Sequence, residues 1–295
     1  MSVTFVAEVS SNHHRDLNRC LAFIDASAKI GCSAVKFQLF KIAELFAPEI
    51  LFKSETHRKR EHWELPVKYL PDLAARCREQ GIAFSCTPFY LDAVEELYPY
   101  VDFYKIASYE LLWDDLLIAC AKTDKPIVLS TGMATMDEIQ HAVEVTINAF
   151  LVSNRDKGSE TQNLTLLHCV SGYPTPPEQC NLAAMQTLRN SFNCKVGWSD
   201  HSVSPAVINR AVHKWGASMI EFHLDLDGEG AEFSSGHCWL PSQIAPVIQD
   251  IAISCSADGN GEKTPSPVEL KDREWRADPI DGLRPLRSIR SPWND

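Results

Sequence analysis

Two histidines occupy matching places in the chain, each closing a short apolar run. His201 ends Val196-Gly197-Trp198-Ser199-Asp200-His201, and His223 ends Met219-Ile220-Glu221-Phe222-His223. Each run reads as a buried parallel strand, and one helix-length segment, Val203 to Trp215, lies between them. Consecutive parallel strands joined by a helix bring their carboxyl ends side by side, where such sheets place their ligands. Two imidazoles delivered there can hold a divalent metal with positions left for substrate and water. A histidine at a strand end can also do no more than hydrogen-bond a loop, but the matched positions of this pair favour the metal.

Two lysines add to the pattern. Lys36 and Lys105 stand inside apolar runs, where a lone ammonium is costly to bury; Glu8 and Glu110 are available as anionic partners. Further polar residues fall at or just beyond strand ends: Gln38, Thr87, Ser108, Ser130, Ser171, Tyr173, Ser199 and Glu221. Two lysines and several hydroxyls converging on one mouth suit a substrate that carries both phosphate and carboxylate.

The elements that must position these residues follow from the punctuation of the chain. Strands are expected over Val3–Glu8, Ser33–Gln38, Ile82–Cys86, Phe103–Ala107, Pro126–Ser130, Leu164–Val170, Lys195–Ser199 and Ala217–Phe222. Helical patterns run over Leu17–Ile30, Tyr69–Gln80, Tyr90–Tyr98, Trp113–Thr123 and Asp137–Phe150, with Gly31 and Gly81 as stops. Lys41 to about Pro66 is a polar and aromatic excursion, and Asn154 to Asn163 a polar surface insertion. Eight strand–helix units predict an α/β fold, a (β/α)₈ TIM barrel over residues 1–258, followed by a short irregular tail over 259–295. An open doubly wound sheet is weakened by Ser10-Ser11-Asn12-His13, which stands where a GxGxxG turn would follow the first strand.

Composition excludes several classes. A chain of 295 residues with 45% hydrophobic content can bury the core of one large domain. With a formal net charge of −11 and only the short basic cluster His57-Arg58-Lys59-Arg60, no nucleic-acid partner is expected. No apolar stretch approaches the roughly 18 residues of a membrane span, and the first residues enter a strand with no signal-peptide pattern. The ten cysteines form no CxxC pair and lie largely within elements, as expected of reduced thiols in a cytoplasmic core.

Taken in order, the short motifs resemble one family, the sialic acid or nonulosonate synthases. The resemblance rests on Ala7-Glu8-Val9-Ser10-Ser11-Asn12-His13, Ala34-Val35-Lys36-Phe37-Gln38, Thr87-Pro88-Phe89 and Tyr104-Lys105-Ile106-Ala107-Ser108. It continues through Leu129-Ser130-Thr131-Gly132-Met133-Ala134-Thr135, Leu167-His168-Cys169-Val170-Ser171-Gly172-Tyr173-Pro174, the run ending at His201, and Glu221-Phe222-His223. It implies a metal-dependent transferase of carbohydrate biosynthesis that joins phosphoenolpyruvate to an N-acyl amino sugar aldose and releases phosphate. It also implies a homodimer.

Position by position, the resemblance makes His201 and His223 ligands of a divalent metal, manganese first, with magnesium or cobalt as substitutes. Lys36, Thr87, Lys105, Ser108, Ser130 and Ser199 match positions that hold phosphoenolpyruvate, with Gln38 and Ser171 beside them. Tyr173 and Glu232 fall where the acceptor sugar is contacted, and Glu8 and Glu221 beside the reacting centre. A metal would polarise the acceptor aldehyde, the enolpyruvate C3 would attack it, and water would add at C2 before phosphate departs. Two alternatives remain: a barrel aldolase with Lys105 as Schiff-base nucleophile, and a non-catalytic sugar-phosphate-binding barrel.

The chain departs from that pattern twice. Family members typically continue into a small antifreeze-like domain that reaches the partner's acceptor site, whereas this tail runs from Gly259 to Asp295. Gly230-Ala231-Glu232-Phe233-Ser234-Ser235-Gly236-His237 replaces a Gly-Pro-Asp-His type of loop. His237 is thereby a candidate acceptor contact, a metal-shell group or a plain loop residue. The acceptor site must then be closed by Lys41–Pro66 or by the arginine-rich tail from Pro265 to Asp295.

Overall fold

Strand periodicity decides what each wall residue faces. The computed structural model describes residues 3–153 and 163–293. Its parallel strands are β1 (Thr4–Glu8), β2 (Ala34–Leu39), β3 (Ala83–Pro88), β4 (Phe103–Ile106), β5 (Ile127–Ser130), β6 (Leu164–Cys169), β7 (Lys195–Asp200) and β8 (Met219–Leu224). They pair in sequence order, and β1 pairs with β8 over Thr4↔Met219 to Glu8↔His223, which closes the expected eight-stranded barrel. On β2 the buried Val35, Phe37 and Leu39 alternate with Lys36 and Gln38; on β8 Ile220, Phe222 and Leu224 alternate with Glu221 and His223. One set packs toward the helices and the other lines the barrel, because successive side chains leave opposite faces.

Helices between the strands follow the expected pattern with shorter ends. Leu17–Lys29 begins where Asp16 Oδ1 accepts from the Asn18 amide at 2.8 Å, satisfying a free N–H of the first turn. Leu70–Gln80 ends at Gly81, whose φ of +70° is the left-handed conformation that a side chain disfavours. Two helices, Ala184–Ser191 and Pro241–Ala257, had no clear signature; the second carries Pro246 in its interior, which breaks the usual pattern.

The Lys41–Pro66 excursion folds as a series of short turns rather than an open loop. Ile42–Leu45, Pro48–Lys53 and Glu55–Arg58 are helical, followed by a 3₁₀ turn over Lys59–Trp63. Beyond β8, a two-residue strand β9 (Cys238–Trp239) pairs in parallel with it, setting Cys238 opposite His223. The Asn154–Asn163 insertion, apart from Asn163, lies outside the described residues.

The chain divides into two units, Met1–Ser254 and Cys255–Asp295. The second is held by its own polar contacts. Ser266 and Glu269 cap the 3₁₀ segment Pro267–Trp275, and Arg290 forks onto Asp281 with Arg287 Nε 3.1 Å away. All ten cysteines are free thiols, and no described helix is long and apolar enough to cross a membrane.

Candidate active site

Register brings the ionisable residues together. Pairing of β1 with β2 sets Glu8 against Lys36, pairing with β8 sets Glu8 against His223, and β7 with β8 sets Ser199 against Glu221. The side chains complete a buried quartet of two cations and two anions. Lys36 Nζ pairs with Glu8 and lies 3.9 Å from Glu221 Oε2, and Lys105 Nζ lies 3.6 Å from Glu221 Oε1. None of the four is more than 5% exposed, so each needs the others.

Neighbours satisfy the remaining valences. Gln38 Nε2 donates to Glu8 at 2.7 Å, Lys36 donates to Thr87 Oγ1 at 3.3 Å, and Ser199 donates to Glu221 at 3.1 Å. The two lysines are unequal. Burial opposes the charge on Lys36, but Glu221 and Glu8 outweigh it and hold its pKa above the ordinary value. Lys105 has a depressed pKa because its burial, with the repulsion of Lys36, exceeds the help from Glu221. Glu221 stays firmly ionised: against burial, Lys105 and Lys36 pull it down to about 2.

Fourteen positions on the walls and loops had been singled out with the family resemblance or before it, and twelve of them face one cavity of about 650 Å³. Glu8, Lys36, Gln38, Lys105, Ser108, Ser130, Tyr173, Ser199, His201, Glu221, His223 and Glu232 all line it. Thr87 and Ser171 stand behind that wall. Thr87 is buried under the Lys36 ammonium, and Ser171 Oγ is buried without a hydrogen-bond partner beside Gly132. A Cβ on Gly132 would sit 2.5 Å from Ser171 Oγ and 2.8 Å from Ser108 Oγ, so only glycine lets its amide donate to Ser108 at 3.0 Å.

The imidazoles form the other half of the cavity. His201 Nδ1 donates to the Val170 carbonyl at 2.8 Å, which leaves Nε2 as a lone-pair donor. Burial and the neighbouring His223 lower the His201 pKa to about 3, so it is neutral, as a metal ligand must be. The ring centroids of His201 and His223 are 5.4 Å apart, with Tyr173 packed 4.3 Å from His201. His201 is anchored by Asp200, a buried carboxylate that accepts from both Trp198 Nε1 at 3.0 Å and Trp239 Nε1 at 3.1 Å.

Four further residues reach the cavity without having been among those fourteen: Glu110, His237, Arg60 and Trp63. Glu110 lines the cavity with Oε2 buried and unpartnered, and burial, partly opposed by Lys105, raises its pKa to about 7. His237 joins the imidazoles, 4.7 Å from the His223 ring, and with Glu232 and Cys238 belongs to a group of possible metal-donor atoms within 4.8 Å. Arg60 and Trp63 reach the cavity from the Lys41–Pro66 excursion, the Arg60 guanidinium lying 5.5 Å from the Trp63 ring. Only their aromatic and basic character marked them beforehand.

The chain is 34% identical to an N,N'-diacetyllegionaminic acid synthase of Campylobacter jejuni, over 90% of this chain and 80% of that protein. It is 31% identical to a pseudaminic acid synthase of Helicobacter pylori, over 92% of this chain and 80% of the other. The crystal structure of an N-acetylneuraminic acid synthetase from Leptospira borgpetersenii, in complex with citrate, superposes with a TM-score of 0.79 at 29% identity, covering 94% of this chain and 92% of that one. The NeuB family model matches residues 23–263, and the chain belongs to the NeuB family.

Proposed function

We propose that this protein condenses phosphoenolpyruvate with an N-acyl amino sugar aldose, forming a nonulosonic or related acidic sugar and phosphate. The observation that carries the reading is the pair of buried lysines facing the same cavity as the imidazoles. Lys36 and Lys105 receive the phosphate and carboxylate, with the hydroxyls of Ser108, Ser130 and Ser199 and the second-layer Thr87 and Ser171 around them. Tyr173 and Glu232 face the acceptor.

The donor set fits a divalent ion: the Nδ1 bond to Val170 leaves His201 Nε2 free, and Glu232 Oε2 lies 3.1 Å from His223 Nδ1 and 3.5 Å from His237 Nε2. His201 and His223 would hold manganese, or magnesium or cobalt in its place; bound there, the ion supplies Lewis-acid polarisation of the acceptor aldehyde. The C3 of the enolpyruvate forms the new carbon–carbon bond as the aldehyde oxygen takes up a proton, leaving positive charge at C2; water adds there and loses a proton, and the tetrahedral adduct then collapses with loss of phosphate. Glu221, ionised between two ammoniums, stabilises that charge better than it takes a proton, because so weak a base has little driving force. Glu8 holds Lys36 in place, and Lys36 with Lys105 neutralises the phosphate as its C–O bond breaks. The ten free thiols support a reducing compartment such as the cytoplasm.

The test is purified protein with phosphoenolpyruvate, manganese and a panel of aldoses, followed by phosphate release and mass spectrometry of the product. Release that depends on an N-acyl amino sugar aldose is expected. Phosphoenolpyruvate binding with no aldose-dependent release would overturn the proposal, and borohydride trapping of a carbonyl substrate on Lys105 would favour the aldolase.

A further inference from the structure

We infer that His237 is a third imidazole ligand of the metal, bridged to His223 by the Glu232 carboxylate. The segment that carries it is Gly230–His237, beyond the end of β8. β9 then pairs with β8 and places Cys238 opposite His223, so the preceding residue, His237, is delivered beside His223. His237 is 4% exposed, and its Nδ1 is buried without a hydrogen-bond partner.

The donor atoms have the spacing of a coordination shell. Glu232 Oε2 lies 3.1 Å from His223 Nδ1 and 3.5 Å from His237 Nε2. Two donors bound to one ion at about 2.1 Å are themselves separated by about 3.0–3.5 Å. Glu232 is held in place from both ends: Ser10 Oγ donates to its Oε1 at 2.5 Å, and its amide donates to Asn12 Oδ1 at 2.8 Å. Asn12 in turn donates to the Leu224 carbonyl at 3.0 Å, tying this loop to the end of β8. Such outer hydrogen bonds orient ligands before the ion arrives. Gly230 is required for the same packing, since a Cβ there would meet Asp225 Oδ1 at 2.3 Å and Asn12 Cγ at 2.6 Å.

This inference rests on the metal-dependent reading above, and its test separates the two. Cobalt and manganese affinities are measured by competition against a chromophoric chelator, with the visible spectrum of the cobalt protein as an independent reporter of nitrogen donors. His237→Ala is expected to weaken both ions by about 100-fold, since even outer-shell partners are worth 10–100-fold, and to change the cobalt spectrum. His237→Gln, closer in size, gives the same comparison if the alanine variant fails to fold. Unchanged affinity and spectrum in a folded His237 variant, with binding lost in His223→Ala, would overturn the inference and leave the metal reading intact. Wild-type protein that binds neither ion would overturn both.

Discussion

Replacing Lys105 with methionine removes one charge from a quartet that is balanced as it stands. Lys105 Nζ lies 3.6 Å from Glu221 Oε1 and donates to the Ile106 carbonyl at 3.2 Å, with almost no solvent access. Methionine keeps most of the volume, so packing changes little. What changes is charge: Glu8, Glu221 and Lys36 remain, a net −1 facing a phosphorylated carboxylate. At about 4 Å and an effective dielectric near 20, one unit charge is worth about 4 kcal/mol, partly offset by relaxation and counter-ions. A loss of about 2–4 kcal/mol is expected, a roughly 30- to 900-fold weaker Kd for phosphoenolpyruvate. Titration calorimetry without the aldose reads this directly, with circular dichroism to confirm folding. The empty protein should also lose stability, since Glu221 is left buried with one cation fewer, and a urea titration reads that loss separately from the affinity. Equal affinity in the two proteins would refute the placement of the anionic substrate between the lysines.

Three further outcomes follow from the same geometry. His201→Ala and His223→Ala should each lower kcat by about 10²–10³-fold or more while thermal melting shows an intact barrel, since both lie at its functional rim; full activity in an exhaustively metal-stripped protein would contradict the metal role. Glu110 has a folded pKa raised from 4.5 to about 7, so its neutral form is favoured in the native state. Its contribution is complete below pH 4.5 and is lost as pH rises to 7, a fall of about 3 kcal/mol that Glu110→Gln should abolish in urea titrations across that window. Arg60→Ala should raise the aldose KM about tenfold, the scale of one desolvated cation contact, with phosphoenolpyruvate affinity unchanged; a matching loss for both substrates would place Arg60 in the phosphate pocket.

The barrel was legible because a parallel strand buried on both faces writes itself as an apolar run, and a lysine inside such a run announces a partner. Lys36 and Lys105 were therefore visible from sequence, and so were His201 and His223. The boundaries were less so. Pro88 and Leu224 lie inside strands that the pattern ended two residues early, because ladder pairing with β2 and β9 extends them beyond their apolar stretch. Helices of four to six residues, as in Ile42–Leu45 or Pro48–Lys53, are too short for periodicity to register. Glu110 and His237 sit in loops, where only the folded chain shows that their side chains reach the cavity. Thr87 and Ser171 illustrate the opposite: their place at strand ends was visible, but not that each stands one layer behind the wall.

The division of labour in the barrel explains where this chain is free to differ. Lys36 and Lys105 come from strands whose register is locked by closure, and moving one of them by a residue would turn it toward the helices. Glu232, His237 and Arg60 face the same cavity from segments outside the eight-stranded wall. Loops tolerate replacement because their backbones face solvent, and barrel enzymes alter chemistry at that end without disturbing the wall. On the proposed function, a loop that sets an imidazole and a carboxylate beside His223 bears on metal and acceptor together while the strand lysines keep their charges. That coupling makes His237 the position at which metal affinity and aldose selectivity should vary independently of phosphoenolpyruvate binding.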